Sequence, residues 1–292
     1  MSSPDPETTQ LVRTAAERLT EELRAAEQAA GGWENGAVAE PLVHAALNRC
    51  LATLVETGLV GPANQIPSRE LWSIAGPWLQ TGWLQVRARE KPRGYAGDYE
   101  LFERIVRGTA CDDPLGRLFD RYFLSQHAPQ AVCRRTEVAA RAILETVAEQ
   151  PDGPVRLLCL GCGPAAELEA ALGQLGETER ARVFLTLLDL DPAAVEFAAA
   201  RVSRFLAPEQ FEARHANLSR LAARPLAAEA PRYHLAWSLG FFDYLQPEPF
   251  TALLRWLAAA FSPRGWNTAP SAPPGPAAAT ALLRSVRFWR RP

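Results

Sequence analysis

The sequence predicts an α/β protein in which a doubly wound parallel sheet follows a helical N-terminal region. Apolar residues recur at helical spacing through most of the first 150 residues. After a turn at Pro151–Pro154, short apolar runs alternate with helical segments, which is typical of βαβ units. Glycines follow directly on the first apolar run, at Gly161 and Gly163. Together these observations predict strands that lead into ligand-binding turns.

The helices of the N-terminal region are predicted from apolar periodicity and from the glycines and prolines that interrupt this periodicity. Six segments are predicted. They are Glu7–Ala30, Leu42–Thr57, Ser68–Leu84 as two short helices broken at Gly76-Pro77, Leu101–Val106, Leu115–Ser125 and Gln130–Glu149. The turn that follows the last helix is predicted as the boundary of a helical domain covering residues 1–150.

Four strands are predicted beyond that boundary, the first two of them as buried apolar runs, and each is followed by a helix or a loop. The strands are Val155–Leu160, Val183–Leu188, Phe211–His215 and Tyr233–Ser238, and the helices are Ala165–Leu175, Pro192–Leu206 and Pro249–Phe261. This pattern defines an α/β domain over residues 151–265.

Composition excludes several classes of protein. The chain has 292 residues, a formal net charge of −2 and 48% hydrophobic residues, as an ordinary folded protein has. A net charge so close to zero predicts no nucleic-acid partner. No apolar run approaches the length of about 18 residues that a spanning helix needs, so no membrane insertion is predicted. No pattern predicts an oligomeric state.

The N-terminus and the cysteines both favour a cytoplasmic location. The first ten residues lack the basic segment and apolar core of a secretory signal. Five cysteines are an odd and sparse set, which argues against a disulfide framework. Cys159 and Cys162 have C-x-x-C spacing, but without a second pair no metal site is predicted.

The first candidate site is the glycine turn and the acid that follows the second strand. Glycine at a strand-to-helix turn lets the backbone bend sharply and approach a ligand, although any Gly-rich turn would show the same pattern. Asp189 ends the second strand, where a carboxylate can accept hydrogen bonds from both ribose hydroxyls or can simply be solvated. Asp191 before Pro192 is typical of a helix N-cap.

Two further strand ends carry polar residues. Asn217 follows the third strand, where an amide can hydrogen-bond an adenine edge or remain an ordinary loop residue. Ser238 ends the fourth strand and is expected near the reactive end of a bound cofactor. The carboxyl ends of parallel strands are where open α/β sheets bind ligands.

A second motif lies in the helical region, at Lys91–Glu100. Two glycines flank Tyr95 between a basic and an acidic part, which favours a shaped loop. The loop offers a guanidinium on Arg93, a phenol on Tyr95 and a carboxylate on Asp98. The alternative is a capping turn in which Asp98 is the N-cap of the next helix.

Residues 155–261 resemble class I S-adenosylmethionine-dependent methyltransferases. The run Leu158–Glu167 is similar to the glycine loop of that class, with Ala165 where a third glycine often stands. The dinucleotide pattern G-x-G-x-x-G is not completed, because Ala166 occupies its last position. The resemblance implies a Rossmann-like methyltransferase sheet, with S-adenosylmethionine as cofactor.

Three segments also resemble a bacterial subset of these methyltransferases. The segments are Pro92–Asp98, Tyr122–Gln126 and Ser238–Leu245. The resemblance implies a small-molecule methyl acceptor, such as the carboxylate of a hydroxy fatty acid. It also implies that the helical region covers the cofactor as a lid, with Arg93, Tyr95 and Asp98 facing the site.

The resemblance assigns a role to each candidate residue. Cofactor binding is expected of Arg93, Tyr95, Gly161, Cys162, Gly163, Asp189 with Leu190, Asn217 and Ser238. A carboxylate acceptor needs no base, whereas a hydroxyl or amine acceptor needs one. The candidates for such a catalytic base are Asp98, Asp243 and Tyr244.

The tail departs from the methyltransferase pattern. Residues 266–292 are rich in proline, alanine and arginine, where the class usually continues with three more strands. The C-terminal strands are therefore expected to be missing, which would leave the fourth strand as an edge. Two alternatives stay open: a catalytically inactive, methyltransferase-like cofactor-binding protein, and an NAD-dependent oxidoreductase.

Overall fold

A computed structural model of the chain describes residues 6–221 and 233–260. These residues form a mixed α/β structure with many helices and a four-stranded parallel sheet. The chain divides into two compact units, one ending at Cys133 and the other beginning at Arg134. Within the described ranges, no helix is both long enough and apolar enough to cross a lipid bilayer.

The first unit is helical. Its helices are α1 Pro6–Ala30, α2 Gly36–Glu56, α3 Gln65–Leu79, α4 Trp83–Glu90, α5 Tyr99–Arg107, α6 Pro114–Ser125 and the first residues of α7 His127–Glu149. Their apolar faces meet in a core that includes Leu19, Leu23, Val43, Leu47 and Phe119. The four-residue spacing of α1 therefore buries one side of that helix, as amphipathic periodicity predicts.

The predicted break at Gly76-Pro77 is wrong. Helix α3 continues through Pro77 to Leu79, and the break falls after it, before α4 begins at Trp83. A proline removes one backbone donor, but the carbonyl of Gly76 still accepts from the amide of Gln80 at 2.9 Å. Because Pro77 lies in the last turn, the helix loses one bond and ends soon afterwards.

The units divide earlier than the turn at residues 151–154, where the sequence places the domain boundary. Most of α7 belongs with the sheet, because Ala139, Ala140, Ile143 and Val147 are buried in the same cluster as the first strand. A long amphipathic helix can end one domain or begin the next, and its periodicity alone does not say which sheet or bundle it covers.

The second unit alternates strands and helices. Its elements after α7 are β1 Val155–Leu160, α8 Ala166–Leu172, α9 Glu177–Arg180, β2 Val183–Asp189, α10 Pro192–Val202, β3 Phe211–His215, α11 Leu218–Leu221, β4 Leu235–Trp237 and α12 Pro247–Ala260. All four predicted strands are present, although β4 is shorter than the predicted Tyr233–Ser238. The predicted departure of residues 266–292 from the methyltransferase pattern lies outside the described residues.

The four strands form a parallel sheet in the order β3-β2-β1-β4. Strand β1 is internal, since Leu157 pairs with Leu185 of β2 on one side and with Leu235 of β4 on the other. Both faces are covered. On one face α7, α8 and α10 pack against Leu157 and Cys159, and on the other α12 packs against Leu158 and Leu160.

Candidate functional site at the switch point of the sheet

The order of the strands places a switch point beside β1. The chain leaves β1 for β2 on one side and later enters β4 on the other side of β1. In open parallel sheets the connections diverge at such a point, and ligands bind outside the carboxyl ends of the strands there. The turns that meet at this edge follow β1 at Gly161, β2 at Asp189 and β4 at Ser238.

The turn after β1 depends on left-handed backbone. Gly161 has φ +70°, Gly163 has φ +49° and Ala165 has φ +53°. These conformations favour glycine, because a Cβ approaches the following carbonyl oxygen. A Cβ on Gly161 would lie 3.1 Å from Cβ of Phe241, whereas a Cβ on Gly163 would meet no atom of the described residues within 4 Å. The turn is therefore packed on the Gly161 side and open at Gly163.

Asp189 joins two of the turns. Its Oδ2 accepts a hydrogen bond from the amide of Gly163 at 2.9 Å, and its Oδ1 accepts one from the amide of Asp191 at 2.9 Å. Burial raises the pKa of the Asp189 carboxyl, while these amide donors act in the opposite direction. Each carboxylate oxygen has a further lone pair, so the group can still accept bonds from ligand hydroxyls.

The predicted helix cap next to this acid is confirmed. Asp191 precedes α10, and its Oδ1 accepts from the amide of Ala193 at 2.9 Å, with Pro192 in the first turn. Between the two acids, Leu190 exposes 58% of its surface. An exposed leucine beside a strand-end carboxylate offers an apolar platform to a planar ring.

The other predicted cofactor residues differ in what they expose. Asn217 is exposed, and its Oδ1 accepts from the amide of Arg220 at 3.2 Å, so it caps α11. Ser238 is half-buried, and its Oγ accepts from the amide of Phe241 at 3.3 Å. The Cys162 side chain is buried in the sheet core, and burial raises the pKa of its thiol. Only the backbone of Cys162 reaches the turn.

Asp243 and Tyr244 lie on a short 3₁₀ helix, Phe241–Tyr244, that follows β4. Burial raises the pKa of the Asp243 carboxyl, and the positive charge of Arg135 acts against this shift. Burial and the charge of Asp243 raise the pKa of the Tyr244 phenol. At neutral pH Asp243 is thus the better proton acceptor of the pair, and Tyr244 remains a donor.

Sequence reasoning missed two residues near these turns, Glu167 and Arg135. Glu167 of α8 is buried, and its Oε1 accepts from Nε1 of Trp237 at 3.0 Å and from Sγ of Cys159 at 3.6 Å. Burial raises the pKa of the Glu167 carboxyl. One signal was available in the sequence, because a glutamate here interrupts the apolar face of a short helix.

Arg135 of α7 was also missed. A Cβ on Gly240, in the turn after β4, would lie 3.5 Å from Nη2 and 3.6 Å from Nη1 of Arg135. Asp243, Tyr244 and Glu167 all act electrostatically on this guanidinium. About a hundred residues separate Arg135 from Gly240 and the turn after β4 in the sequence, so no local motif marks it.

The second motif belongs to the first unit, and its capping interpretation is confirmed. Asp98 is the N-cap of α5, with Oδ1 accepting from the amides of Glu100 and Leu101 at 3.1 Å. The same carboxylate pairs with Nε of Arg87 at 2.9 Å. Arg93 pairs with Glu100 at 2.9 Å, and Tyr95 is half-buried in the turn. The functional roles of Arg93, Tyr95 and Asp98 stay predictions.

The cysteines and acids form no metal centre in the part of the chain that the structure describes. Within residues 6–221 and 233–260, no group of three histidine, cysteine or acidic side chains is placed to hold a metal ion. Cys159 and Cys162 are free, buried thiols, and burial raises the pKa of both. The C-x-x-C spacing here belongs to a strand and its turn.

The chain matches no family model and no curated protein. The solved structures similar to it include a "possible exported protein" from Bordetella parapertussis, with 16% identity, a TM-score of 0.45, and coverage of 89% of this chain and 71% of that one. They also include DszA carbon methyltransferase, with 15% identity, a TM-score of 0.41, and coverage of 89% and 73%. A third is mitomycin 7-O-methyltransferase MmcR, with 18% identity, a TM-score of 0.34, and coverage of 93% and 81%. Identities and TM-scores this low assign no function, which therefore has to come from the residues of the site.

Proposed function

We propose that this chain is an S-adenosylmethionine-dependent methyltransferase with a Rossmann-like sheet, acting on a small molecule. The observation that carries the proposal is the contact between the glycine turn and the strand-end acid, Gly163 N to Asp189 Oδ2 at 2.9 Å. It places a carboxylate suited to ribose hydroxyls beside an open stretch of backbone at the switch point.

The residues at this edge fit the parts of that cofactor. Asp189 would hold the ribose, Leu190 and Asn217 the adenine, and the turns at Gly163 and Ser238 the amino-acid end. When bound, the sulfonium supplies an electrophilic methyl group. The protein's own task is to bind, orient and exclude water, which the packed turn and the buried strand ends favour.

A buried acid of α8 argues against a dinucleotide. A nicotinamide cofactor places its pyrophosphate at the helix that follows the glycine turn. Here the first turn of α8 carries Glu167, a buried carboxylate whose negative charge would repel phosphate. The charge of Glu169 in the same turn is already met by ion pairs with Arg201 at 3.5 Å and Arg204 at 2.8 Å. S-adenosylmethionine has no phosphate, so Glu167 does not oppose it. This difference favours the methyltransferase over the oxidoreductase.

A carboxylate acceptor, such as that of a hydroxy fatty acid, is the proposed substrate class. Its oxygen is already a nucleophile at neutral pH, so the protein has only to align it with the methyl group. For a hydroxyl or amine acceptor, Asp243 is the proposed base, since burial raises the pKa of its carboxyl and makes it a stronger proton acceptor.

The test is binding of S-adenosylhomocysteine, measured by calorimetry on the full chain. Asp189→Ala removes both acceptor oxygens, so binding is expected to weaken about tenfold to hundredfold. Asp152→Ala, which removes an exposed carboxylate before β1, is the matched control and should bind as the unaltered chain does. Thermal melts establish that each variant is folded.

The two alternative functions predict different results in the same experiment. Displacement of S-adenosylhomocysteine by NAD would favour the oxidoreductase. Tight binding without methyl transfer to any acceptor, 3-hydroxydecanoate included, would favour the inactive cofactor-binding protein. A folded chain that binds no S-adenosylhomocysteine would refute the proposal.

A further inference from the structure

We propose that Arg135 is the carboxylate-binding residue of this site, holding a ligand carboxylate through its guanidinium beside Gly240. The inference rests on the proposed function for the identity of the ligands. The shared chemistry is a carboxylate, which both the amino-acid end of S-adenosylmethionine and a fatty-acid acceptor carry.

Arg135 lies on the side of α7 that packs against the sheet. Ala139, Ile143 and Val147 follow it at four-residue spacing and are buried against the sheet. Residues four apart lie on the same side of a helix. Arg135 therefore lies at the start of the sheet-facing side of α7, where it is half-buried.

The guanidinium of Arg135 lies beside the turn that follows β4. Both terminal nitrogens are within 3.6 Å of the point that a Cβ on Gly240 would occupy. On either side of Gly240, Ser238 and Phe241 approach Gly161, since a Cβ there would be 4.0 Å from Oγ of Ser238 and 3.1 Å from Cβ of Phe241. The guanidinium thus stands at the meeting of the turns after β1 and β4, which is the switch point.

Acidic side chains surround the partly buried guanidinium of Arg135. Burial lowers the pKa of its guanidinium, while Asp243 and Glu167 act in the opposite direction. Of these two acids, Glu167 also accepts a hydrogen bond from the indole of Trp237. Asp243 lies on the short 3₁₀ helix that begins directly after Gly240. A partly desolvated guanidinium binds a carboxylate more strongly than a hydrated one, and its fork of donors matches two carboxylate oxygens.

Arg134 provides the matched control. It is the neighbouring residue on α7, its side chain is 76% exposed, and it pairs with Glu137 at 3.0 Å. Arg134→Met and Arg135→Met remove the same charge one position apart. Arg135→Lys keeps the charge and loses the fork, so partial rescue is expected from it.

The experiment compares two adenosyl ligands by calorimetry on the full chain. S-adenosylhomocysteine has the carboxylate, and 5′-methylthioadenosine lacks the amino-acid end. If Arg135 holds the cofactor's carboxylate, Arg135→Met should weaken S-adenosylhomocysteine about tenfold to hundredfold and leave 5′-methylthioadenosine unchanged. Arg134→Met should change neither.

A third titration, with 3-hydroxydecanoate, distinguishes the other source. Weakening of 3-hydroxydecanoate alone would assign Arg135 to the acceptor and still support a carboxylate contact. Equal weakening of both adenosyl ligands would make Arg135 a structural residue and overturn the proposal. Unchanged binding of all three probes by folded Arg135→Met would overturn it as well.

Failure of the proposed function gives a separate result. In that case the unaltered chain binds neither adenosyl ligand, and the titration with 3-hydroxydecanoate decides on Arg135 alone. Binding that Arg135→Met abolishes supports the carboxylate contact. Binding that it leaves unchanged, or no binding by either chain, overturns it.

Discussion

Replacing Glu167 by alanine should destabilise the second unit measurably. Glu167 is 3% exposed and Trp237 is 7% exposed, and their hydrogen bond at 3.0 Å joins α8 to β4. Without the carboxylate, the buried indole N–H of Trp237 loses the hydrogen-bond acceptor that Glu167 provides. The loss costs about 1–3 kcal/mol of stability. For a unit of this size each 1 kcal/mol lowers Tm by about 2–4 °C, so a fall of about 2–12 °C is expected.

Glu167→Gln separates the acceptor oxygen from the charge. The amide oxygen can still accept from Trp237, and the ionisable group is gone. Burial raises the pKa of Glu167 above 4.5, so the folded chain binds the proton more tightly than the unfolded chain does. The stability of the unaltered chain should therefore fall, relative to the glutamine variant, as pH rises above 4.5 and through the raised pKa.

Scanning calorimetry at pH 5 and pH 8 measures both effects. We expect the alanine variant to melt lowest at both values, and the glutamine variant to gain on the unaltered chain between pH 5 and pH 8. Two results would refute the reasoning. One is a glutamine variant as unstable as the alanine variant, and the other is a gap between glutamine and glutamate that pH does not change.

Two further predictions concern the two motifs. Gly163→Ala and Gly153→Ala both place a Cβ on left-handed backbone, with no atom of the described part of the chain within 4 Å, so each should lose about 1–2 kcal/mol of stability. Only Gly163→Ala should also weaken the binding of S-adenosylhomocysteine, measured by calorimetry. Equal affinity of the two variants would show that the ligand does not contact the turn. Asp98→Ala removes the N-cap of α5 and the ion pair with Arg87. The free energy of unfolding, measured in urea, should fall by at least about 2 kcal/mol. Asp98→Asn keeps a capping side chain and should lose less, whereas an equal loss would contradict the role of the cap.

The sequence predicts the strands well because their signals are local. The bounds of β1 and β3 match the prediction, since a turn or helix end borders each apolar run. Helix α3 is harder, because the effect of Pro77 depends on how near it lies to the end of the helix. The assignment of α7 depends on what its apolar side packs against, which appears only in the folded chain.

Some features of the candidate site can also be predicted from local sequence, whereas others depend on the folded chain. The left-handed turn at Gly161 and Gly163 and the strand-end position of Asp189 can be read from a few neighbouring residues. Glu167 and Trp237 are 70 residues apart, and only the pairing of β4 with β1 brings them into contact. The guanidinium of Arg135 likewise comes near the turn after β4 only when α7 packs on the sheet.

Chirality restricts how the turn after β1 can evolve. Gly161, Gly163 and Ala165 adopt, at alternate positions, the backbone conformation that L-amino acids disfavour, and only Ala165 carries the side chain. At the two glycines, any natural substitution adds a side chain on backbone that opposes it. New ligand preferences in this protein would therefore arise from its surroundings, at positions such as Leu190 and Asn217, while the turn itself stays constant.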